Sequence, residues 1–238
     1  MAEPFKNLID RAGIERAAAV LARHASGFDA AAFVRHAATG LDALELKARA
    51  MQIADALEAT LPADFGQAAA LIESALAPPS NGAAGSAMPS GGDGLSGWML
   101  WPVGEFIARR GLDRPERALQ ALHALTQRFT AEWAIRPFIV HHPALAWATL
   151  QRWTTDPSAH VRRLVSEGSR PRLPWGLQLK GLIADPSPTL PLLRALQDDA
   201  DESVRRSVAN HLNDIAKDHP GLVADWLEAH LPGAGPER

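Results

Sequence analysis

Cysteine is missing from all 238 residues. Disulfides, thiolate metal sites and cysteine nucleophiles are therefore excluded. No apolar run reaches 18 residues, so no membrane-spanning helix is expected. The opening Met1-Ala2-Glu3-Pro4-Phe5-Lys6 has no apolar core and does not read as a secretory signal, which points to a cytoplasmic protein. P-loop and Rossmann glycine patterns are absent, as is a nucleophile-elbow sequence. His141-His142 has no third ligand at metal spacing, and Asp218-His219-Pro220 reads as a turn. Neither a metal nor a cofactor is expected. Strand-like alternation is also missing, which leaves helix as the periodic signal.

What is present is a repeated phrase. Val161-Arg162-Arg163-Leu164-Val165-Ser166-Glu167 answers to Val204-Arg205-Arg206-Ser207-Val208-Ala209-Asn210, 43 residues later. A looser copy, Ala134-Ile135-Arg136-Pro137-Phe138-Ile139, precedes the first. Helix pairs repeating at roughly 40–47 residues predict an all-α, HEAT-like helical repeat solenoid, a superhelix with a concave groove. Helices are predicted over 14–24, 28–37, 42–59, 65–76, 98–110, 114–126, 130–140 (kinked at Pro137), 143–154, 158–168, 175–183, 189–197, 202–217 and 221–231. Residues 77–97, rich in Gly, Ser, Pro and Ala, predict a flexible loop within a single domain spanning 1–238.

Charge is unevenly spread. Residues 1–97 hold 7 Lys+Arg against 11 Asp+Glu, whereas 98–217 hold 16 against 12, and 14 of those 16 cations are arginine. The overall charge of −3 thus conceals a cationic second part. Arginine suits bidentate contact with phosphate, although a GC-rich genome also raises arginine usage.

A helical wheel on the 202–217 segment puts Val204, Val208, Leu212 and Ile215 on one buried stripe. Arg206, Asn210, Asn213, Asp214 and Lys217 fall opposite them. The 158–168 segment repeats the arrangement, with Val161 and Val165 inward and Arg163 and Glu167 outward. Stacked repeats would align these polar stripes as a cationic groove carrying carboxylates. Such a face can be an ordinary solvated surface, with Arg163 and Glu167 paired at i,i+4, which contributes only about 0.3–0.5 kcal/mol. It can equally anchor a phosphate backbone through arginine while a carboxylate stabilises developing positive charge. Between the repeats, Ser169-Arg170-Pro171-Arg172-Leu173-Pro174-Trp175 reads as an extended loop. Its tryptophan either anchors a helix start or lies against a sugar or base. Trp147, Trp153 and Trp226 read as core.

Three blocks carry a resemblance: residues 129–138, residues 161–175, and residues 204–214 ending in His211-Leu212-Asn213-Asp214. Together they resemble the AlkC branch of the AlkC/AlkD alkylbase DNA glycosylases, which are HEAT-like solenoids, and Glu3-Pro4-Phe5-Lys6-Asn7 is similar to that branch too. The resemblance implies removal of cationic N-alkylated bases, 3-methyladenine and also 3-methylcytosine, from double-stranded DNA without flipping the base. It implies site carboxylates at Glu132, Glu167 and Asp214 with Trp175 beside them. Phosphate contacts would come from Arg162, Arg163, Arg170, Arg172, Arg205 and Arg206, joined by Asn210 and Lys217 from the wheel. The role of Glu132 rests on the resemblance alone. Many members carry an immunoglobulin-like domain after the solenoid, and none is expected within this sequence. A monomer is expected. The alternative is a non-catalytic HEAT-like scaffold that binds DNA or protein; a metal-dependent hydrolase lacks a ligand set.

Overall fold

The computed structural model describes residues 4–79 and 93–232. Among them are thirteen α-helices and no strand, so the chain is all-α as its periodicity predicts. Two compact units divide at Ile135 and Arg136.

The first unit holds α1 (Arg11–His24), α2 (Ala30–Ala38), α3 (Leu46–Thr60), α4 (Phe65–Ala75), α5 (Leu100–Arg110) and α6 (Pro115–Thr126). Asp10, Asp29 and Asp64 cap three of these by accepting from the backbone N–H of Gly13, Ala32 and Gln67. One row runs α2, α3, α5 and a second runs α1, α4, α6, with α1 on α2 and α5 on α6 tying the rows together. Ile14, Phe33, Ile53, Ile72, Leu100 and Leu122 fill the space between. Gly111 marks a close approach: a Cβ there would come within 2.6 Å of Ala118 Cβ, Ile107 O and Phe65 Cζ.

The second unit holds α7 (Arg136–His141), α8 (Pro143–Trp153), α9 (Ala159–Gly168), α10 (Lys180–Ala184), α11 (Leu190–Leu196), α12 (Glu202–Ala216) and α13 (Pro220–His230). The helices bearing the two good copies of the phrase, α9 and α12, pack on each other; α8 lies on α9, α11 touches both, and α13 lies on α12. Val161, Leu164, Val165, Val204, Val208 and Ile215 are buried in that stack. No helix of the described residues is long and apolar enough to cross a membrane.

Three expectations need correction. The helix predicted over 130–140 begins only at Arg136, after a turn at 132–135. Pro137 is thus its second residue, in the first turn, where a missing N–H costs nothing, and it makes no interior kink. The helix predicted from Trp175 starts at Lys180, because Trp175 takes a left-handed φ of 61° that no helix can contain. Of the predicted 77–97 loop, residues 80–92 lie outside the described residues. Its described ends are pinned: Leu95 N–H donates to Ala75 O, Ala77 N–H donates to Leu95 O, and Arg128 donates to Ala77 O.

Candidate active site

The site grows from the contact between α9 and α12. Glu167 sits near the end of α9 and Asp214 near the end of α12, and Arg170 stands between them. Its Nη1 donates to Glu167 Oε1 at 2.5 Å and its Nε donates to Asp214 Oδ2 at 2.9 Å. The other oxygens are also occupied. Ser207 Oγ donates to Glu167 Oε2 at 2.6 Å, and Lys217 Nζ donates to Asp214 Oδ1 at 2.9 Å. Arg163 approaches Glu167 Oε2 at 3.8 Å.

The wheel put both carboxylates on the solvent face. The structure instead buries them, Glu167 to 5 % exposure and Asp214 to 1 %. The wheel treats each helix as facing solvent, whereas neighbouring repeats close over this face. Burial pushes Asp214 toward its neutral form, but hydrogen bonds from Arg170 and Lys217 overcome this and hold its pKa below the usual carboxylate range. Burial likewise opposes the Arg170 charge, and the hydrogen bond to Asp214 with the field of Glu167 raises its pKa in spite of it. The result is two carboxylates preset by one guanidinium, which helps hold Asp214 ionised.

The loop carrying Arg170 is built on a residue not foreseen as part of the site. Arg136 is fully buried, and its guanidinium donates to Gly168 O at 2.8 Å, Leu177 O at 2.5 Å and Pro171 O at 3.5 Å. It therefore fixes the backbone on both sides of Arg170, Arg172 and Trp175. Gly176 packs over it, since a Cβ there would lie 3.3 Å from Arg136 Cδ and Nε and 3.2 Å from Leu173 Cδ2. Trp175, in its left-handed conformation, is 53 % exposed. The helix-anchor reading is thereby excluded, and a large aromatic surface faces outward from a clamped loop.

The remaining cations divide into two groups. Arg162 pairs with Asp199 through Nε at 2.6 Å and Nη2 at 2.8 Å, and its Nη1 donates to Asp156 O and Pro157 O. Arg205 Nη1 donates to Asp199 O and Ala200 O. These first arginines of each phrase tie helix to loop. The second arginines stand outside: Arg206 is exposed and pairs with Glu202, and Arg163 is partly exposed. Arg172 forms a two-bond pair with Asp218 near the surface. Asn210 is half-buried on α12. Glu132 belongs to the first unit, buried in the 132–135 turn, where its Oε2 accepts from Thr130 Oγ1 at 2.6 Å.

Sequence reasoning missed Arg136, Ser207 and His211. Two of them leave a signal in the repeat. Arg136 occupies the position of Arg162 and Arg205 in the looser third copy, and Ser207 is a polar residue where the other copy has the core residue Leu164. His211 Nδ1 lies 3.0 Å from Ser166 O, one turn along α12 from Ser207, so α12 holds both Glu167 and the residue before it. Among the described residues no group of His, Asp and Glu could hold a metal.

This arrangement of an all-α repeat with paired carboxylates defines a class, and comparison with known proteins identifies it. No family model matches the chain. It is 41% identical over 191 residues to the uncharacterized protein YhaZ of Bacillus subtilis (strain 168), covering 79% of this chain and 49% of that one. It superimposes with a TM-score of 0.84 and 34% identity on the Pseudomonas fluorescens alkylpurine DNA glycosylase AlkC, solved bound to DNA containing an abasic site analog. That match covers 96% of this chain and 60% of the other. The chain is thus similar to AlkC both in sequence and in its helical-repeat fold. It spans about half to three fifths of the length of these relatives.

Proposed function

We propose that this protein is a monofunctional DNA glycosylase that hydrolyses the N-glycosidic bond of cationic alkylated bases in duplex DNA. The observation that carries the reading is the Glu167–Arg170–Asp214 assembly, two carboxylates from adjacent repeats held by one arginine whose loop also carries an exposed tryptophan. The AlkC similarity points the same way. The substrates proposed are 3-methyladenine and 3-methylcytosine, whose positive charge makes them good leaving groups.

In this reaction the bond between C1′ and the base nitrogen breaks and its electron pair leaves with the base, neutralising it. Positive charge then develops on the deoxyribose. Asp214 stabilises that charge, and a water oxygen adds to C1′ and loses one proton to bulk solvent. A carboxylate about 4 Å from the cation contributes on the order of 4 kcal/mol at an effective dielectric of 20. That corresponds to roughly a thousandfold in rate, a ceiling because Arg170 shares the carboxylate. Arg163, Arg172, Arg206 and Lys217, on the outer side, are assigned to phosphates, with Asn210 beside them. Arg162 and Arg205 act from within by holding the repeats. Arg170 sets the carboxylates, Trp175 lies against the nucleotide without base flipping, and Glu132 is a further site carboxylate on the strength of its sequence block. The protein acts as a monomer and one HEAT-like domain, in the cytoplasm on the nucleoid.

The test is base release from methylated duplex DNA, with the released bases separated chromatographically. Wild type should release 3-methyladenine, and Asp214→Asn should bind DNA yet release it about 10- to 1000-fold more slowly. A second reading, a non-catalytic scaffold, draws on the fact that all four carboxylate oxygens of Glu167 and Asp214 already have partners, as in a structural ion-pair network. DNA binding by wild type without any base release would establish it.

A further inference from the structure

The four carboxylate oxygens are not held alike. Three accept from groups that are themselves buried: Glu167 Oε2 from Ser207, and Glu167 Oε1 and Asp214 Oδ2 from Arg170, whose side chain is 12 % exposed. The fourth, Asp214 Oδ1, accepts from Lys217, whose side chain is 59 % exposed. A flexible, well-hydrated ammonium thus covers one oxygen of a carboxylate that otherwise shows almost nothing to solvent. Lysine is a point charge on a four-carbon stem, so it changes partners more readily than an arginine fork. The pair is three residues apart at a helix end, and its lysine end is open to solvent and to screening by salt.

We propose that Lys217 is a substrate-operated latch on Asp214: its ammonium closes Oδ1 while DNA is absent, and a backbone phosphate draws it away and opens that oxygen to the sugar. The proposal rests on the glycosylase reading. Phosphate is the competing anion that a duplex supplies at high local density. Arg170 does not follow, because its two carboxylate bonds and the Arg136-held backbone fix it. Asp214 therefore stays ionised and oriented after the latch leaves. In the reacting complex, its uncovered oxygen meets charge that develops only as the bond breaks. The groups acting on Asp214 are Arg170 and Arg172 from the loop after α9, with Lys217 and His211 from its own helix end, and Glu167 shares Arg170 with it. Asp218 is a second anion within the field of Lys217.

The experiment titrates the Asp214 carboxyl carbon by NMR, assigned as the resonance that Asp214→Asn deletes. Wild type and Lys217→Met are compared, each alone and bound to an undamaged duplex. Position 217 is exposed, so the variant keeps its fold. Without DNA, Lys217→Met should raise the Asp214 pKa, because a hydrogen bond and a positive charge are lost. With DNA the two proteins should titrate together, since the lysine has already left. Lys217→Met should also make the slope of log K against log salt shallower by about 0.9, one phosphate contact, and Lys217→Arg should restore it. A pKa difference that persists in the complex, or an unchanged salt slope, overturns the latch while leaving the glycosylase reading intact. Wild type that neither binds duplex DNA nor releases methylated bases overturns both.

Discussion

Arg162 and Arg205, 43 residues apart, perform the same act: each sends Nη1 to the carbonyls six and five residues before it, Asp156 and Pro157 in one case, Asp199 and Ala200 in the other. Asp199 joins the two, because its carboxylate takes Arg162 and its carbonyl takes Arg205. The repeated phrase is therefore a stacking device as well as a surface. Arg162→Met should cost more than Arg205→Met, about 3–5 kcal/mol against roughly 1–3, because only the first strips a largely buried carboxylate of its two-bond ion pair. Urea denaturation at neutral pH measures both. Neither variant should change the salt slope of DNA binding, while Arg206→Met should make it shallower by about 0.9.

Arg170 separates two buried carboxylates, so its loss should depend on pH in a defined direction. Arg170→Met leaves Glu167 and Asp214 without their shared counter-charge, at a cost of about 3–5 kcal/mol at neutral pH. Asp214 has a depressed pKa in the native protein, so its contribution is present above the ordinary carboxylate value and lost on acidification through the native one. Without Arg170 that depression weakens, so protonation relieves the variant at a higher pH than it affects wild type. The stability gap between wild type and variant should accordingly be larger at pH 8 than at pH 5. An equal gap at both would show that Arg170 acts through packing alone.

The repeat and its arginines were legible because spacing and side-chain class are properties of the chain. Thirteen helices are predicted and thirteen are present among the described residues, with boundaries mostly within a few residues. The burial of Asp214 and Glu167 was not legible. A wheel reports the angle within one helix, and here the neighbouring repeat decides which angle meets solvent. Arg136 was hidden for a related reason: its partners are carbonyls 32 to 41 residues away, and a carbonyl has no sequence signature. Trp175 was misread as a helix start because Pro174 and the apolar residues after it suit a first turn. The preceding loop, clamped by Arg136, forces the left-handed turn instead.

Trp175 occupies a backbone conformation that costs a residue with a Cβ about 1–2 kcal/mol. Trp175→Ala and Trp175→Gly both remove the exposed ring, but only glycine adopts that conformation without strain. Trp175→Gly should be more stable than Trp175→Ala by about 1 kcal/mol, offset in part by greater chain entropy when unfolded. The two should lose base release to a similar degree if the ring itself is what meets the nucleotide. Thermal denaturation and base release on the same pair of proteins separate the backbone effect from the aromatic one.

His211 gives the clearest pH signature. It is fully buried, and burial lowers its pKa to about 4, although the hydrogen bond to Ser166 O pulls the other way. In the unfolded chain the imidazole titrates near 6.5. Between those values the unfolded state binds a proton that the native state does not, so stability rises with pH through this window. On acidification from pH 6.5 the protein should lose about 1.4 kcal/mol per pH unit through this residue, about 3 kcal/mol by pH 4. His211→Asn keeps a donor where Nδ1 stands and removes the titrating ring. Its stability at pH 7 should fall for lost packing, but its profile between pH 6.5 and 4 should be flatter than wild type by that amount. Parallel profiles would mean that His211 is protonated in the native state, and the contact with Ser166 O would then be a charged one.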